Sequence, residues 1–411
     1  MDKRDVITTL DVGTSKVATL IGKTSPDTAQ IDVVGIGYAP VHSLRKGVVV
    51  DLEATISSIS EALEQAERMS GIKTDSVFLA IGGAHIESQT SKGVIAVSRS
   101  DGEITPEDRD RVIEAAQAIA QPTNREILHV IPQTFTLDGQ GGIKDPVGMT
   151  GIRLEAETHI ITAATPALRN LEKSVFQTGL SIKEPVFSAL AESEVFLDSK
   201  QREIGVVLID IGAATTQLVV YEEGTIIHSA VIPMGGNLIT NDIAIGLKTS
   251  LEIAEQVKIK YGSALPEEIS ETQTIDLSQI DPEEKTDTNK KFLAEIIKAR
   301  LGEILEAVRK ELKRIKKDAK LPAGAVFTGG TSQLKGLTEL SKEVLKLPST
   351  LGKCQMMIGG LTDKVEDPAF AAALSLLFWA KHHPSVHSTE GFKLFGNIGE
   401  KIKELFKTLR P

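Results

Sequence analysis

The sequence predicts an α/β fold in which one strand-turn-strand unit is used twice around a ligand cleft, with a small α+β subdomain inserted into the first copy and an amphipathic helix at the C-terminal end. A repeated motif, a self-contained run of strands and one helix between its copies, and a reversal of charge in the last twenty residues predict it. VITTLDVGTSKVATLIG at residues 6–22 and GVVLIDIGAATTQLVVYEEG at 205–224 each read as an apolar strand, Asp-x-Gly, small hydroxyl-bearing residues and a second strand. Copies about two hundred residues apart mark a duplicated α/β unit, and a ligand between the halves would touch both turns.

The first copy reads as a hairpin with a polar tip. Residues 51–70 then open with an Asp N-cap and place Leu52, Ile56, Ile59, Leu63 and Ala66 on one helical face. Residues 84–161 carry their own pattern, a capped helix from Thr105 between the strand-like runs EILHVIPQTFTL and RLEAETHIITA, and form the inserted subdomain. After the second copy, residues 262–290 are polar and acidic and read as a surface loop or mobile insertion. Residues 291–318 read as one long helix, AVFTGGTSQLKGL as a buried strand ending in glycines, PAFAAALSLLFWA as an apolar helix, and KHHPSVHSTEG as a linker.

Bulk composition narrows the function. A chain of 411 residues with 41% hydrophobic content can bury two to four cores. The single cysteine, Cys354, permits neither an intramolecular disulfide nor a Cys-rich metal site, and no signal peptide opens the chain, which fits a reducing cytoplasm. A net charge of -10 without a basic stripe in the body argues against nucleic acid as a partner. No apolar run is long enough to span a bilayer, so membrane contact would be peripheral.

The glycine turns carry the chemistry. Asp11-Val12-Gly13-Thr14-Ser15 offers backbone amides and hydroxyls at a turn that a phosphate can approach closely, and Asp210-Ile211-Gly212 is its facing copy. Acids beside a polyphosphate require a cation, so Asp11 and Asp210 are expected to position Mg²⁺ through its waters. One such turn alone is also an ordinary way to end a strand. Gly329-Gly330-Thr331-Ser332 follows a buried strand and lets a flat base or ribose pass close. Glu255 and Lys258 share a helix face, suited to a ribose hydroxyl and a base, and equally to a solvated ion pair.

The order of LDVGTSK, KEPVFSALAE, LIDIGAATT, FTGGTSQLKGL and DPAFAAALSLL resembles the actin/Hsp70 ATPase superfamily, whose domains are ribonuclease H-like. Within it, KGVVVDLEATISSISEALEQAE, HVIPQTFTLDGQGGIKDPVGMTGIRLEAETHIIT and VIPMGGNLITNDIAIGL resemble the FtsA family of bacterial cell-division proteins across nearly the whole chain. That resemblance implies two actin-like subdomains, at 1–83 with 162–190 and at 191–225 with 311–381, and makes 84–161 the subdomain peculiar to FtsA, a site of contacts between protomers and with other division proteins. It also implies a small lobe at 226–310, a linker at 382–391 and a membrane-targeting helix at 392–411. ATP with Mg²⁺ would be held by Gly13, Thr14, Ser15, Lys16, Gly212, Ala213, Thr215, Gly235, Gly236, Asn237, Glu255, Lys258, Gly329, Gly330 and Thr331.

Two features bear on hydrolysis. The family has three glycines and a second acid in the second phosphate loop, where this chain has Gly212-Ala213-Ala214-Thr215-Thr216-Gln217; the Cβ groups restrict φ, so ATP binding is expected and hydrolysis is expected to be slow or absent. Glu184 matches the position that orients the attacking water in the superfamily and, with Asp210, is the expected catalytic pair; it is equally a glutamate at a helix start before Pro185.

The tail has a separate chemistry. Phe392, Phe395, Ile398, Ile402, Leu405, Phe406 and Leu409 recur three or four apart, with Lys393, Lys401, Lys403, Lys407 and Arg410 between them. From Gly391 onward five positive and two negative side chains give a charge of +3, suited to anionic headgroups; a helix docked on the protein itself or on a partner has the same stripe. One such helix holds weakly, so head-to-tail self-assembly would raise avidity. The resemblance to FtsA implies ATP-bound polymers on the cytoplasmic side of the membrane at the division site, tethering FtsZ filaments. The C-terminal peptide of FtsZ would bind the small lobe, with Arg300 and Lys260 as candidate contacts, both also readable as solvated charges. Rival readings are a sugar kinase, disfavoured by Gln217 and the basic tail, and a peptide-binding scaffold like the pilus protein PilM, disfavoured by GIKDPVGMTGIR and the tail.

Overall fold

The computed structural model describes residues 6–24, 30–99, 101–120, 123–284 and 287–383. The chain opens with the meander β1 (Val6–Val12), β2 (Lys16–Thr24) and β3 (Ile31–Pro40). A small hairpin, β4 (Leu44–Arg45) and β5 (Val48–Val49), leads to α1 (Leu52–Ser70), whose N-cap Asp51 accepts from the Ala54 amide at 3.0 Å. β6 (Ser76–Ile81) returns parallel to β1. The insertion follows as β7 (Ile86–Ala96), α2 (Pro106–Ala120), β8 (Arg125–Leu137), β9 (Gln140–Ile143) and β10 (Arg153–Ala164). α3 (Thr165–Phe176), β11 (Ser181–Phe187), α4 (Ser188–Phe196) and α5 (Ser199–Ile204) complete the first half.

The second half runs β12 (Val206–Ile211), β13 (Thr216–Glu222), β14 (Thr225–Ile232), α6 (Gly236–Leu247), α7 (Leu251–Tyr261), a hairpin of β15 (Thr274–Asp276) and β16 (Asp287–Asn289), and α8 (Lys290–Arg314). β17 (Gly324–Thr328), α9 (Leu337–Leu345) and β18 (Ser349–Leu351) finish the second sheet. β19 (Ile358–Gly360) then crosses back to edge the first sheet beside β3, and α10 (Thr362–Val365) and α11 (Ala371–His382) follow.

The duplication is visible strand by strand. Apart from β19, the first sheet has the order β11-β6-β1-β2-β3, and the second β18-β17-β12-β13-β14. In each, a hairpin and a third antiparallel strand continue through two parallel strands on the other side of the first. α4 and α11 lie between the sheets against each other, α11 on β1, β2 and β6, and α4 on β12 and β13. Both are buried nearly all round, as a helix with no solvent face is. A side chain also ties β1 to α11, since the Thr9 hydroxyl donates to the Ala373 carbonyl at 2.9 Å.

The insertion forms a four-stranded sheet, β7-β10-β8-β9, with α2 packed on it and a separate small core around Ile104, Val112, Ile113, Phe135 and Leu154. It also touches the second half. Ser88 donates to the Ser229 carbonyl at 2.5 Å, Gln133 to the Ile226 carbonyl at 2.7 Å, and His159 Nε2 lies 2.8 Å from Ser229 Oγ, all on β14. Burial holds His159 neutral, down to about 3.

Residues 262–290 differ from the loop expected of them. Ile275 and Leu277 are buried in the second core, and the β15–β16 pair is anchored on α8, so two apolar side chains in an acidic stretch are enough to fix it. The long helix ends at Arg314 rather than 318, with Lys316 already in left-handed backbone. The proposed membrane residues Phe392 to Leu409, with Lys401, Lys403 and Lys407, lie outside the described residues, as does all but the beginning of the proposed linker.

Candidate functional site

Each half of the fold ends a strand in the same turn. At the tip between β1 and β2 the Gly13 amide donates to the Lys16 carbonyl at 2.8 Å; between β12 and β13 the Gly212 amide donates to the Thr215 carbonyl at 2.9 Å. The two turns open onto one cavity of about 600 Å³, with Asp11 to Lys16 on one wall and Asp210, Gly212 to Thr215 and Gln217 on the other. Gly329, Gly330 and Thr331 close its far end, with Asn237, Glu255 and Lys258 beside them.

The second turn is braced from behind. The Gly236 amide donates to the Gly212 carbonyl at 2.9 Å and the Asn237 amide to the Ala213 carbonyl at 2.7 Å, so the first turn of α6 is built onto the loop. Thr331 Oγ1 donates to the same Gly212 carbonyl at 3.1 Å. Gly235 and Gly236 therefore support the wall without lining it. A Cβ on Gly236 would lie 2.4 Å from Thr331 Oγ1, so glycine is what permits the brace. Lys258 is buried, with Nζ 2.6 Å from Glu255 Oε2 and 2.8 Å from Thr240 Oγ1; its partner carboxylate is 40% exposed and so reachable by a ligand.

Charge collects on the floor. Asp11, Asp210 and Glu192 face the cavity with Lys16. Burial, and then the Asp11 carboxylate, raise Asp210 to about 7. Burial, and then Asp210, hold Glu192 well above the carboxylate range, while burial raises Asp11 against the pull of Lys16. Burial likewise lowers Lys16, opposed by the acids around it; its ammonium sits 5.2 Å from the centre of the Phe370 ring. Such a floor has three acids to a single lysine, and a divalent cation would favour their ionised forms. Among the described residues no three His, Cys, Asp or Glu side chains are placed to hold an ion, so a cation there would take most of its ligands from phosphate and water.

One expected cleft residue lies elsewhere. Glu184 is in β11 rather than at a helix start; it is buried against β6 and does not line the cavity. The reason is local: strand pairing with β6 persists through Phe187, and the helix begins only at Ser188. Glu192, one turn into that helix, does line it, as do Ser188 and the segment Asp367 to Phe370, none of which the glycine motifs mark, and Ala214 of the second glycine turn. An acid in the apolar run SALAESEVF was the available signal for Glu192. In the small lobe, Arg300 of α8 is paired with Asp242 of α6 at 2.5 and 3.0 Å and with Glu303 at 2.6 Å, while Lys260 is exposed at the end of α7, over the Tyr261 ring.

Comparison with known proteins bears on the same regions. The family described as Cell division protein FtsA matches residues 207–375, and the SHS2 domain inserted in FTSA matches residues 83–162. The chain is 40% identical to the Cell division protein FtsA of Pseudomonas aeruginosa, over 91% of this chain and 89% of that relative. It is 33% identical to that of Escherichia coli K12, over 99% and 98%. Among solved structures, the PilM-PilN type IV pilus biogenesis complex has a TM-score of 0.64 at 18% identity, covering 90% of this chain and 97% of that one. MreB5 of Spiroplasma citri bound to ADP has a TM-score of 0.53 at 14% identity, covering 92% and 96%. At those identities the likeness is one of fold, the actin-like fold, whereas the match to the curated relatives runs nearly end to end: the chain belongs to the FtsA family of bacterial cell-division proteins.

Proposed function

We propose that the chain binds Mg-ATP in the cleft and, as a head-to-tail polymer on the cytoplasmic face of the membrane at the division site, tethers FtsZ filaments to it. The observation that carries the nucleotide part is the pair of equivalent turns facing one cavity, each held by the same amide-to-carbonyl bond. The turns at Gly13 to Lys16 and Gly212 to Thr215 would hold the phosphates, and Asp11 and Asp210 would face a hydrated Mg²⁺, which supplies charge neutralisation there. Glu255, Lys258, Asn237 and the Gly329–Thr331 loop would take the nucleoside. Hydrolysis is slow on this reading, because Ala213 and Ala214 replace glycines in the loop that meets the terminal phosphate.

Removing one nucleoside contact tests the cleft. Lys258→Met should weaken binding of fluorescently labelled Mg-ATP by about tenfold or more, the loss of a charge-assisted contact, while the near-UV circular dichroism stays native. Equal affinity in the variant, or no binding by the native chain, would refute the assignment.

The tether reading rests on the basic amphipathic pattern of residues 392–411 and on family membership. The intact chain should pellet with anionic liposomes, more strongly with Mg-ATP, and a chain truncated after Ser388 should remain in the supernatant. Equal pelleting by both would make the terminal helix a structural or partner-facing element. For the FtsZ peptide, Arg300 is the candidate cation in the small lobe; an acidic peptide would take the place of Asp242 on a guanidinium already held in position. The same α6–α8 seam presents Phe292, 44% exposed, beside Gly246, an apolar neighbour for the peptide's side chains. Other divisome proteins would meet the inserted domain.

A further inference from the structure

A carboxylate buried in an otherwise apolar helix is costly unless it has a partner or a task. α4 carries two acids. Glu194 is paired with His383 at 3.1 Å, away from the cleft. Glu192 is 1% exposed, has no Lys, Arg or His within ion-pair distance among the described residues, and lines the cavity floor. Its Oε2 accepts from Thr328 Oγ1 at 2.5 Å, and Thr328 directly precedes the Gly329 turn. Among the described residues, Oε1 has no hydrogen-bond partner.

The other polar groups of the floor are already engaged. Gln217 donates from Nε2 to Asp210 Oδ2 at 3.1 Å and accepts at Oε1 from Ser188 Oγ at 3.1 Å, so its amide joins the second half to the start of α4. A Cβ on Gly82 would lie 2.7 Å from Gln217 Nε2, so the amide is also packed against the first half. Asp11 and Asp210 end the two equivalent strands and face the expected cation. Glu184 is in β11, outside the cavity.

From this geometry we infer that Glu192 positions the attacking water in a slow hydrolysis of the bound nucleoside triphosphate. This rests on the nucleotide reading of the cleft. Thr328 fixes one carboxyl oxygen, and the other accepts a hydrogen bond from the water, aiming its lone pair at the γ-phosphorus. The water oxygen forms a bond to phosphorus as the bond to the β,γ-bridging oxygen breaks, and that electron pair leaves with the nucleoside diphosphate. Hydrogen phosphate is the second product, and one proton passes to solvent. The acid contributes by orientation, and it sits on the helix that the Gln217–Ser188 bond ties to the second half, so it can be aligned only when the halves are closed.

The test uses the full chain with Mg²⁺ and γ-labelled ATP in single-turnover hydrolysis, with fluorescent ATP affinity and urea unfolding measured on the same variants. Glu192→Gln should bind ATP within about twofold of the native chain, unfold at an equal or higher urea concentration because a neutral amide replaces a buried acid, and hydrolyse at least tenfold more slowly. Glu194→Gln, on the same helix but outside the cleft, should hydrolyse within twofold of the native rate. Hydrolysis unchanged in Glu192→Gln, or absent in a native chain that binds ATP, overturns the assignment. So does a rate lost in Glu184→Gln and kept in Glu192→Gln. Rate, affinity and stability falling together in Glu192→Gln would make it a structural residue and likewise overturn it. Absence of ATP binding in the native chain would instead remove the nucleotide reading itself.

Discussion

Replacing Gly329 by alanine should destabilise the second half by about 3 kcal/mol and abolish ATP binding. Gly329 has φ 82° and ψ 160°, a conformation essentially confined to glycine. The added Cβ would lie 2.1 Å from Asp210 Oδ1 and 2.7 Å from the Ile211 carbonyl oxygen, so one of the three must move. Of the two neighbours, one is the acid at the end of β12 and the other is backbone inside the sheet. Either the loop leaves the cleft, taking its contacts to a nucleoside with it, or Asp210 is displaced from the floor. Gly330→Ala is the matched control, since a Cβ there meets nothing within 4 Å and should change stability by less than about 0.5 kcal/mol. Urea unfolding of both variants separates the outcomes; a Gly329→Ala protein as stable as Gly330→Ala would mean that the loop adapts and the close approach to Asp210 is dispensable.

Asp210 should cost the ligand-free protein stability as the pH rises from about 4 to about 7, a loss read as the difference from a variant that lacks its charge. Asp210 has a folded-state pKa of about 7 against an ordinary 3.8, raised by burial and then by Asp11. The folded state therefore binds this proton more tightly than the unfolded chain does. The associated stabilisation is present in full below 3.8 and is lost as pH rises through about 7, a change on the order of 4 kcal/mol for a shift of this size. Asp11 and Glu192 shift in the same direction and steepen the trend. Asp210→Asn removes the charge and should gain on the native protein as the pH rises, becoming the more stable of the two at pH 8 while being bound less well by Mg-ATP. Unfolding midpoints in urea at half-unit pH steps for both proteins check this. A difference between the two curves that stays constant with pH across that range would show Asp210 to be solvated and paired, whatever the buried histidines add to both.

Both predictions concern a site whose parts were legible to different degrees. The strand-ending turns were read from Asp-x-Gly and its repeat, because a hairpin that must let a ligand reach its backbone restricts residue type within a few positions. The same holds for the capped helix α1, the strand before Gly329 and the apolar helix α11, each set by residue pattern inside one segment. Glu184 and Glu192 show where local reading stops. One lies in the strand and the other one turn into the helix that begins at Ser188, and only the pairing of β11 with β6 decides where the strand ends. The hairpin within residues 262–290 is a similar case, stabilised by Ile275 and Leu277 finding α8.

By itself the sequence determined the duplicated α/β architecture, the glycine turns, the two floor aspartates and the family, because each rests on residue type and spacing over short stretches. The tertiary structure alone decided which acid lines the cleft, that Gln217 spans Asp210 and Ser188, that Arg300 is already paired, and that the inserted domain also contacts β14. These depend on which distant segments share a boundary, and the free energy of burying a carboxylate or orienting an amide is set by those neighbours, not by the residues beside it in the chain.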